Sequence, residues 1–568
     1  MKTILTFLLI TSFSILLINP LTAQNQEDKT SRLRQLEMPG GEYAPVDTES
    51  MERTPAYTRS SPGFFMTQVN VDEDGMNIVG DASNEPSIAF DPTNHDRMAI
   101  GWRHFETISN NFRQAGIGYT TDGGQTWTFP GVLDPGIFRS DPVLDSDGEG
   151  NFYYNSLTVQ GDFWCDVFKS EDGGATWNDE VFAYGGDKQW FSIDKSGSSG
   201  SGHIYHYWSS YSICDPYYFT RSTDGNQSYE ECISVEGGPY WGTTAVNAAG
   251  DLYICGAQGG NFVVTMSSNA KNSGQTVAWD FASTVELDGE IIGFGGYSCP
   301  NPQGLLGQTI IAIDSSGGPT HDNVYLLCSV EPYSNSDPLD VMFSRSIDGG
   351  ETWSDPVRVN DDISFSNYQW FGTMSVAPDG RIDVIWLDTR DDPGGVNSSL
   401  YYSYSIDAGE TWSQNTRLSD SFDPHVGWPQ QDKMGDYFDM FSDESGAHLA
   451  WANTLNGEQD VYYGHISLQP IGIGDLQDGS ITVDLHSKSF PNPFRGNTTI
   501  SYRLPDQQFV SLKIFNMTGK EITTLVSEEQ SSGLQQVKFD ASGLGSGVYY
   551  YRLQAGEQVE IKKLILAK

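Results

Sequence analysis

The chain has 568 residues, which is more than one ordinary domain requires. It contains 31 Lys and Arg residues against 75 Asp and Glu residues, a formal net charge of −44. A surface this acidic repels phosphate, so we exclude nucleic acid as a partner. The charge suits a soluble exported protein, in which most acidic side chains serve solvation and do not form a site.

The N-terminus has the features of an export signal. Lys2 precedes an apolar run at residues 4–18, and Ala23 offers a small residue at the cleavage point, so we predict a signal peptide at residues 1–23. No second long apolar run follows, and we therefore expect no transmembrane segment in the mature chain. Residues 24–60 are polar and predict a flexible leader.

Beyond the leader, the sequence alternates between apolar runs and turn residues. A strand predicted at residues 64–71 stands alone, and seven units of strand, turn and strand follow. The seventh unit has only three strands before Pro470. We therefore predict that strand 64–71 pairs with residues 461–466 and removes the open edges. The seven units begin near Glu85, Asp141, Lys188, Tyr240, Gly307, Tyr368 and Gly435.

One eight-residue pattern recurs with these units: Ser or Thr, any residue, Asp, any residue, Gly, any residue, Thr, Trp. In such a turn Asp and Ser side chains bind backbone groups, Gly supplies positive φ, and the Trp that follows can pack between sheets. We therefore predict that the Asp residues hold turns and do no chemistry. The copies lie at residues 120–127, 170–177, 346–353 and 405–412, with a degenerate copy at 222–229, and their Asp residues are Asp122, Asp172, Asp348, Asp407 and Asp224.

These repeats resemble the Asp-box, or bacterial neuraminidase (BNR), repeat of the sialidase superfamily. The resemblance implies an all-β fold in which residues 61–468 form an Asp-box β-propeller, with each box between the third and fourth strands of a blade. Our count favours seven blades, with six as the alternative, and the catalytic sialidases of this superfamily have six. The repeat does not imply sialidase activity, since Asp boxes also occur in receptors and in non-catalytic propellers.

The C-terminal region has a different pattern. Residues 469–487 predict a linker, and the alternation within residues 488–568 predicts a small β-sandwich. FPNPF at 490–494, IFNMTGK at 514–520 and GVYYYRL at 547–553 resemble, in that order, the type A sorting domain of the Bacteroidota type IX secretion system. The resemblance implies the type IX secretion machinery as a partner, and a protein that is secreted or attached to the outer cell surface.

Six cysteines lie in the repeat region, an even number that permits disulfides in an exported protein. Cys165 and Cys214 both precede a predicted third strand in neighbouring units, and we predict that they are bonded. No Cys or His spacing indicates zinc. The metal content stays open: the fold requires no cofactor, and calcium is compatible with the acidic composition.

In this strand order the beginnings of the first strands and the loops after the second strands share one face, the default position for a site. The superfamily uses three arginines to clamp a carboxylate, a Tyr–Glu nucleophile pair and an Asp acid. By position, this implies Arg103, Arg139 and Arg390 as the clamp, and Asp141, Asp388, Asp436 and Tyr437 as candidate catalytic residues. Glu85, Trp190, Trp241 and Trp370 are candidate substrate-binding residues. The alternative is that the charged residues form salt bridges or turn caps and that the tryptophans pack between blades.

Two functions fit these features. The first is an exported, sialidase-like glycoside hydrolase that acts on extracellular glycans or glycoproteins, which the acid- and Arg-rich face favours. The second is a non-catalytic surface propeller that binds glycan or protein. It is favoured by the absence of Arg from strand 64–71, where sialidases have an early Arg-Ile-Pro motif.

Overall fold

The computed structural model describes residues 38–467, apart from 294 and 297, and residues 487–567, apart from 505, 506, 517–519, 532, 556 and 557. The predicted signal peptide, the first part of the leader and nearly all of the predicted linker lie outside these residues. The chain forms two compact units, Met1–Leu468 and Gln469–Lys568. Over the described residues the structure is all-β, with one 3-10 turn at Thr48–Ser50, and no described helix has the length and apolarity to cross a membrane.

Sheets 1 to 3 follow one another along the chain and are antiparallel. They follow an N-terminal segment that forms β1 (Arg53–Pro55), β2 (Thr58–Ser61), β3 (Phe64–Gln68) and β4 (Met76–Ile78). Sheet 1 consists of β5 (Ala82–Phe90), β6 (Met98–Phe105) and β7 (Gln114–Thr120). Sheet 2 consists of β8 (Ser140–Ser146), β9 (Phe152–Gln160), β10 (Asp162–Ser170) and β11 (Val181–Phe182). Sheet 3 consists of β13 (Trp190–Ile193), β14 (Ile204–Tyr207) and β16 (Phe219–Ser222), while β12 (Gly186–Asp187) pairs separately with β15 (Ser210–Ser212).

Sheets 4 to 7 repeat this arrangement. Sheet 4 consists of β17 (Thr244–Val246), β18 (Leu252–Gln258), β19 (Asn261–Ser267) and β20 (Phe281–Val285). Sheet 5 consists of β22 (Ile310–Ile313), β23 (Val324–Pro332), β24 (Asp340–Ser346) and β25 (Val357–Arg358), with β21 (Gly289–Glu290) on the far end of β23. Sheet 6 consists of β26 (Gln369–Val376), β27 (Ile382–Asp388), β28 (Ser399–Ser405) and β29 (Thr416–Arg417). Sheet 7 consists of β30 (Asp439–Ser442), β31 (Gly446–Asn453) and β32 (Asp460–Ser467), followed by β3 and β2.

The first strands of the seven sheets contact one another in sequence. Strand β5 contacts β8, β8 contacts β13, and the series continues through β17, β22, β26 and β30, which returns to β5. Among the second strands, β6, β27 and β31 are buried along their whole length. A strand that is buried on both faces has to be apolar or internally paired at every position. The sheets therefore cover one another face to face around a common centre.

The N-terminal strand completes the seventh sheet. Strand β3 pairs antiparallel with β32, with Phe64 opposite Ile466, and the Val69 amide donates to the Val461 carbonyl oxygen at 2.9 Å. The predicted pairing of strand 64–71 with residues 461–466 is confirmed. The sequence predicts a flexible leader up to residue 60, but β2 pairs with β3 and β1 pairs with β4. Strand β2 covers an edge that β3 would otherwise expose, while β1 and β4 form a separate two-stranded sheet.

The repeated turns have the bonds expected of them. In the copy around Asp348, the Ser346 hydroxyl donates to Asp348 Oδ1 at 2.7 Å, and the Thr352 amide and hydroxyl donate to Oδ1 and Oδ2 at 2.9 and 2.5 Å. The other four copies repeat these three bonds around Asp122, Asp172, Asp224 and Asp407. The predicted structural role of these aspartates is confirmed.

In two of the copies the Trp that ends the turn packs on an aromatic ring of the preceding sheet. Trp127 of sheet 1 lies 5.4 Å from Tyr463 of sheet 7, and Trp412 of sheet 6 lies 5.1 Å from Phe343 of sheet 5, between ring centroids. Gly409 has φ 79°, and a Cβ there would overlap the Phe343 ring. The glycine is therefore required both by the backbone conformation and by the close approach of the two sheets.

The predicted disulfide between Cys165 and Cys214 is wrong. Cys214 is bonded to Cys232, with 6.2 Å between their Cα atoms, while Cys165 is a free, buried thiol in β10. Residues 218 and 219 at the start of β16 bond to Ile233, which brings the chain after β16 back beside Cys214. The bridge therefore closes a short loop within sheet 3 and does not join two sheets.

The C-terminal unit contains two sheets around one core. β33 (Lys488–Phe490), β34 (Asn497–Leu504) and β37 (Gly533–Asp540) form one sheet. β35 (Gln508–Asn516), β36 (Glu521–Gln530), β38 (Gly547–Ala555) and β39 (Gln558–Leu566) form the other. Tyr502, Phe539, Leu512 and Tyr551 are buried in a single cluster to which both sheets contribute.

We predict that Asp348→Ala lowers the free energy of unfolding by about 1 kcal/mol, the typical loss when a side chain that caps backbone amides is removed. Hydrogen bonds from Thr352 and Ser346 lower the pKa of Asp348. This stabilisation is therefore complete above the unfolded-state pKa near 4 and is lost as the pH falls towards the folded-state pKa. Urea denaturation at pH 7 and pH 3 should show the difference from wild type narrowing at the lower pH. The exposed neighbour Glu351→Ala is the control, and an equal loss there would contradict the assignment.

A buried acid beside β32 predicts the opposite pH dependence. Among the described residues neither carboxyl oxygen of Asp81 has a hydrogen-bond partner, and burial, followed by the charges of Asp460 and Glu458, raises the pKa of Asp81 well above its ordinary value. At intermediate pH the Asp81 carboxyl is therefore protonated in the folded chain and ionised in the unfolded chain. The stability that depends on the protonated carboxyl is lost as the pH rises through the folded-state pKa. We expect Asp81→Asn to raise the melting temperature at pH 8 by about 2 °C or more, and much less at pH 5.

The exposed residue Glu73 provides the control for that measurement. Glu73→Gln should leave the melting temperature unchanged at both pH values, because substitutions of exposed residues outside special structural features usually change stability little. A destabilising effect of Asp81→Asn at pH 8 would mean that the ionised carboxylate has a stabilising partner.

Candidate functional site

The first strands carry irregularities that aim side chains towards the common centre. Glu85, Asp141 and Lys188 have φ values of 49°, 47° and 56°, and Trp241 and Phe371 have 54° and 56°, a left-handed conformation that non-glycine residues rarely adopt. The pairing register shifts at this point in β5, β8 and β26. A bulge of this kind redirects a side chain, and strained backbone of this kind is frequent at functional sites.

Three carboxylates and three cations meet at the centre of the first unit, and we call them the central charge cluster. Its members are Glu85, Arg103, Asp141, Lys188, Lys433 and Asp436, all with buried side chains. Arg103 forms an ion pair with Glu85 at 2.8 Å. Lys433 forms two ion pairs, one with Glu85 at 3.5 Å and one with Asp436 at 2.8 Å. Lys188 also forms two ion pairs, one with Asp436 at 2.5 Å and one with Asp141 at 3.2 Å. The cluster links sheets 1, 2 and 3 to the segment before sheet 7.

Burial dominates the protonation of this cluster. It raises the pKa of Glu85 to about 8, against the lowering effect of Arg103 and Lys433, while Asp436 and Asp141 raise that pKa further. Burial also raises the pKa of Tyr437 well above its ordinary value, with Glu85 and Asp141 adding to the shift. The Tyr437 hydroxyl donates to the Pro142 carbonyl oxygen at 2.7 Å, and its ring packs edge-on against Trp190 at 5.5 Å. Tyr437 is thus held as a neutral hydrogen-bond donor.

Two segments cover the central charge cluster. Arg103 donates to Gln431 Oε1 at 2.5 Å, and the Leu305 amide donates to Asp436 Oδ1 at 2.8 Å. The Asn301 carboxamide donates to the Gly435 carbonyl oxygen at 2.8 Å. These bonds help to keep the cluster away from solvent. In this arrangement its carboxylates compensate buried cations and do not contact solvent.

The other two predicted clamp arginines lie in separate ion pairs. Arg139 binds Asp166 at 2.6 Å and Asp134 at 2.7 Å. Arg390 donates to Asp388 Oδ2 at 2.9 Å and to Asp361 Oδ1 at 2.7 Å. Together with the Arg103–Glu85 pair, each guanidinium already has its own acidic partners. The structure does not bring the three arginines together as one fork for a substrate carboxylate.

The predicted tryptophans also lie in different surroundings. Trp370 is fully buried, donates to the Ser398 hydroxyl at 3.0 Å and packs on Phe371. Trp190 is buried as well, and Trp241 is half-buried beside Tyr240. The buried rings correspond to the alternative of packing between sheets, because a ring without exposed area cannot stack on a sugar.

One part of the predicted site reaches solvent around Arg390. We call this part, formed by Arg390, Tyr401, Asp361, Asp388 and Asp391, the Arg390 surface. The guanidinium lies 4.4 Å from the centroid of the Tyr401 ring, and Tyr401 donates to Asp391 Oδ2 at 3.0 Å. Asp361 and Asp391 are exposed. Burial raises the pKa of Asp388, although hydrogen bonds and charge from Arg390 lower it in part. The surface thus offers carboxylates, a cation and an aromatic ring within one contact network.

Sequence reasoning missed the exposed apolar side chains beside this network. Ile363 is 92% exposed and Phe365 59% exposed, in the same turn that supplies Asp361. Tyr333, 60% exposed, follows the end of β23 in sheet 5. The signal was present in the sequence as two large apolar residues inside the polar segment 360–367.

One cavity lies elsewhere. It has a volume of about 500 Å³, is open to solvent, and is lined by Met266, Ser268, Asp280, Phe281, Ala282, Ser283 and Glu351 at the outer strand of sheet 4. None of the predicted site residues lines it. Among the described residues no group of three or more His, Cys, Asp or Glu side chains is placed to hold a metal ion.

Comparison with known proteins identifies the C-terminal region. Residues 488–567 match the secretion system C-terminal sorting domain. The protein is therefore secreted or attached at the cell surface, as the tail predicts.

The remaining similarities are distant. A xyloglucanase from Paenibacillus sp is 25% identical over 406 residues, which cover 64% of this chain but only 36% of that enzyme. A protein of unknown function from Dyadobacter fermentans has a TM-score of 0.41 at 12% identity, covering 72% of this chain and all of that one. The endosialidase of phage phi92 has a TM-score of 0.38 at 8% identity, covering 89% of this chain and 87% of that one.

We predict that Lys188→Met destabilises the protein by about 3–5 kcal/mol, because it leaves Asp141 and Asp436 buried beside one fewer cation. Lys169→Met, which removes a pair with the exposed Glu171, should cost less than about 1 kcal/mol. Equilibrium urea denaturation of both variants gives the two numbers. A Lys188→Met protein as stable as the control would show that the cluster is not needed for folding.

Proposed function

We propose that this protein is a secreted or cell-surface β-propeller that binds a neutral extracellular polysaccharide on the Arg390 surface. Seven sheets whose first strands contact one another in a closed series support a seven-bladed propeller. The box around Asp348 lies between the third and fourth strands of its sheet, β24 and β25, as in Asp-box blades. The two sheets of the C-terminal unit, with their shared core, support a sorting sandwich.

The bonding of Arg390 is the observation that carries this proposal. A free guanidinium fork would favour a ligand carboxylate. Here Asp388 and Asp361 already accept from it, and Asn415 Oδ1 accepts from Nη2 at 3.1 Å. What the surface offers a ligand is therefore acceptor oxygens from Asp361 and Asp391, which suit sugar hydroxyls.

Aromatic and charge properties point to the same ligand class. Phe365, in the same turn as Asp361, exposes a ring on which a sugar face can stack, with sugar hydroxyl groups at the ring edge free to bond to the acids. The net charge of −44 repels an anionic polysaccharide and leaves a neutral one unaffected. The similarity to a xyloglucanase supports a neutral plant-type glucan as the first ligand to test.

Hydrolysis at the same surface is the second candidate. Burial raises the pKa of Asp388, as a general acid requires, and Asp388 shares Arg390 with the exposed Asp361. Because the Asp388 carboxyl is buried, hydrolysis requires that ligand binding expose it. An inverting glycosidase places its acid and base about 6.5–9.5 Å apart on either side of the scissile bond. Under this hypothesis Asp388 is the acid and Asp361 the base, while Asp141, Asp436 and Tyr437 take no part.

Calorimetric titration with xyloglucan, mixed-linkage glucan, arabinan and a sialylated glycan tests the ligand class. We expect binding to a neutral polymer and none to the sialylated glycan. Phe365→Ala should weaken binding about tenfold, equivalent to about 1.4 kcal/mol. Phe182→Ala, at an exposed ring on β11, should leave affinity unchanged. Selective binding of the sialylated glycan would overturn the proposal.

A reducing-sugar assay on each polymer that binds separates the two functions. If the surface only binds, no new reducing ends form. If it hydrolyses, Asp388→Asn should abolish product formation and retain binding, since the amide keeps the shape of the side chain but cannot supply the proton. Product formation that survives in Asp388→Asn and Asp361→Asn would place the chemistry elsewhere.

A further inference from the structure

Two loops beside the Arg390 surface bring together six oxygen-rich side chains. Their members are Asn335, Asp337 and Asp340 from the loop between β23 and β24, and Asn360, Asp362 and Asn367 from the loop between β25 and β26. We call this set the amide–carboxylate cluster. It lies outside the central charge cluster, and the proposed polysaccharide surface does not use it.

Hydrogen bonds join the six side chains into one network. The Asn360 carboxamide donates to Asp340 Oδ1 and to Asp362 Oδ1, both at 2.8 Å. The Asn335 carboxamide donates to Asp340 Oδ2 at 3.2 Å. The Asn367 amide donates to Asp337 Oδ1 at 3.2 Å, and its carboxamide donates to Asp362 Oδ2 at 3.3 Å. The two loops are thus held against each other by these residues.

Two oxygen atoms in the network lack a donor. Among the described residues, Asp337 Oδ2 and Asn367 Oδ1 have no hydrogen-bond partner, although both residues are only 2% exposed. Rotating the Asn367 carboxamide by 180° does not solve this, because its oxygen would then face the Asp362 carboxylate. A buried acceptor without a donor is costly, so a proton, a water molecule or a cation is expected at each of these two oxygens, and the acidic surroundings favour a cation.

The local charge is also incompletely compensated. Asp337, Asp340 and Asp362 face two cations, Arg358 at 3.4 Å from Asp340 and Arg390 at 3.8 Å from Asp362. Burial, and then the charges of Asp340 and Asp362, raise the pKa of Asp337 to about 7. A further cation beside Asp337 would therefore stabilise its ionised carboxylate.

We propose that the amide–carboxylate cluster binds one Ca²⁺ ion, with Asp337 Oδ2, Asn367 Oδ1 and Asp362 as protein ligands and water completing the shell. Ca²⁺ takes six to eight oxygen ligands in flexible geometry, including carboxamide oxygens, whereas Mg²⁺ requires a near-ideal octahedron. Among the described residues, no three His, Cys, Asp or Glu side chains are placed to hold a metal ion. The proposed site therefore needs the Asn367 carboxamide oxygen and bound water in addition to its two carboxylates.

Such an ion would order the turn at residues 361–367. It would join Asp362 and Asn367 at the two ends of this turn to Asp337 in sheet 5. The exposed Ile363 and Phe365 lie between those two ligands. The rival explanation is a proton on Asp337 Oδ2 that is donated to Asn367 Oδ1, which satisfies both atoms without a metal.

The test is titration of the full-length, chelator-treated protein with CaCl2 at pH 7.5, followed by calorimetry, together with melting curves. We expect wild type to bind Ca²⁺ and its melting temperature to rise with added Ca²⁺. Asp337→Asn and Asp362→Asn should each lose at least tenfold in affinity for one ion. Asp355→Asn, an exposed acid in the same sheet-5 region, should bind as wild type does.

Circular dichroism of each variant shows whether it folds, and either variant alone can decide the question. No Ca²⁺ binding to wild type would overturn the proposal, and so would unchanged binding to a folded Asp337→Asn protein. A wild-type melting temperature that ignores Ca²⁺, together with a rise on acidification through pH 7 that is smaller in Asp337→Asn than in wild type, would assign a proton to Asp337 instead, since Asp81 contributes equally to both proteins. Polysaccharide binding is measured separately, so its failure leaves this result unaffected.

Discussion

Compensation of buried charge at the centre is the constraint on which the first unit depends. The first strands of seven sheets contact one another there, and Glu85, Asp141 and Lys188, each with positive φ, place ionisable side chains in the central charge cluster. Charges in such a place are tolerated only when each has a partner of opposite sign. Lys433 and Lys188 both reach Asp436, which ties the last sheet to the first three. The pairing of β3 with β32 and the ion pairs of Lys433 therefore both join the last sheet of the unit to its N-terminal part.

Away from the centre, the structure is stabilised by local devices repeated from sheet to sheet. Each Asp-box turn satisfies its own backbone amides, so it forms independently of the rest of the chain. In two of the copies the Trp then packs on an aromatic ring of the preceding sheet, as Trp412 does on Phe343. The repeat thus couples a local turn to a contact between sheets, and glycine at 409 permits the approach. Loops at the ends of the strands are left free to carry a ligand surface.

The position of the proposed ligand surface follows from this contrast between the central charge cluster and the outer loops. The carboxylates at the centre form ion pairs with buried cations and are covered by the segments around Asn301 and Gln431. They are therefore poorly placed to contact a substrate. Acidic and aromatic side chains that contact solvent lie at the Arg390 surface and on the turn with Phe365. A ligand that presents hydroxyl groups and an apolar ring face fits this surface better than one that presents a carboxylate.

The sequence by itself determined the features that depend on near neighbours: the alternating strands, the five Asp-box turns, the sorting tail and the N-terminal strand that completes the seventh sheet. These follow from period-two alternation, turn chemistry and the need to cover an edge. Only the tertiary structure decided which side chains are partners. Cys214 bonds to Cys232 and not to Cys165, Arg390 binds Asp361 and Asp388, and Lys433 meets Glu85 from the far end of the unit. Such pairings depend on distances across folded loops, which spacing along the chain does not encode.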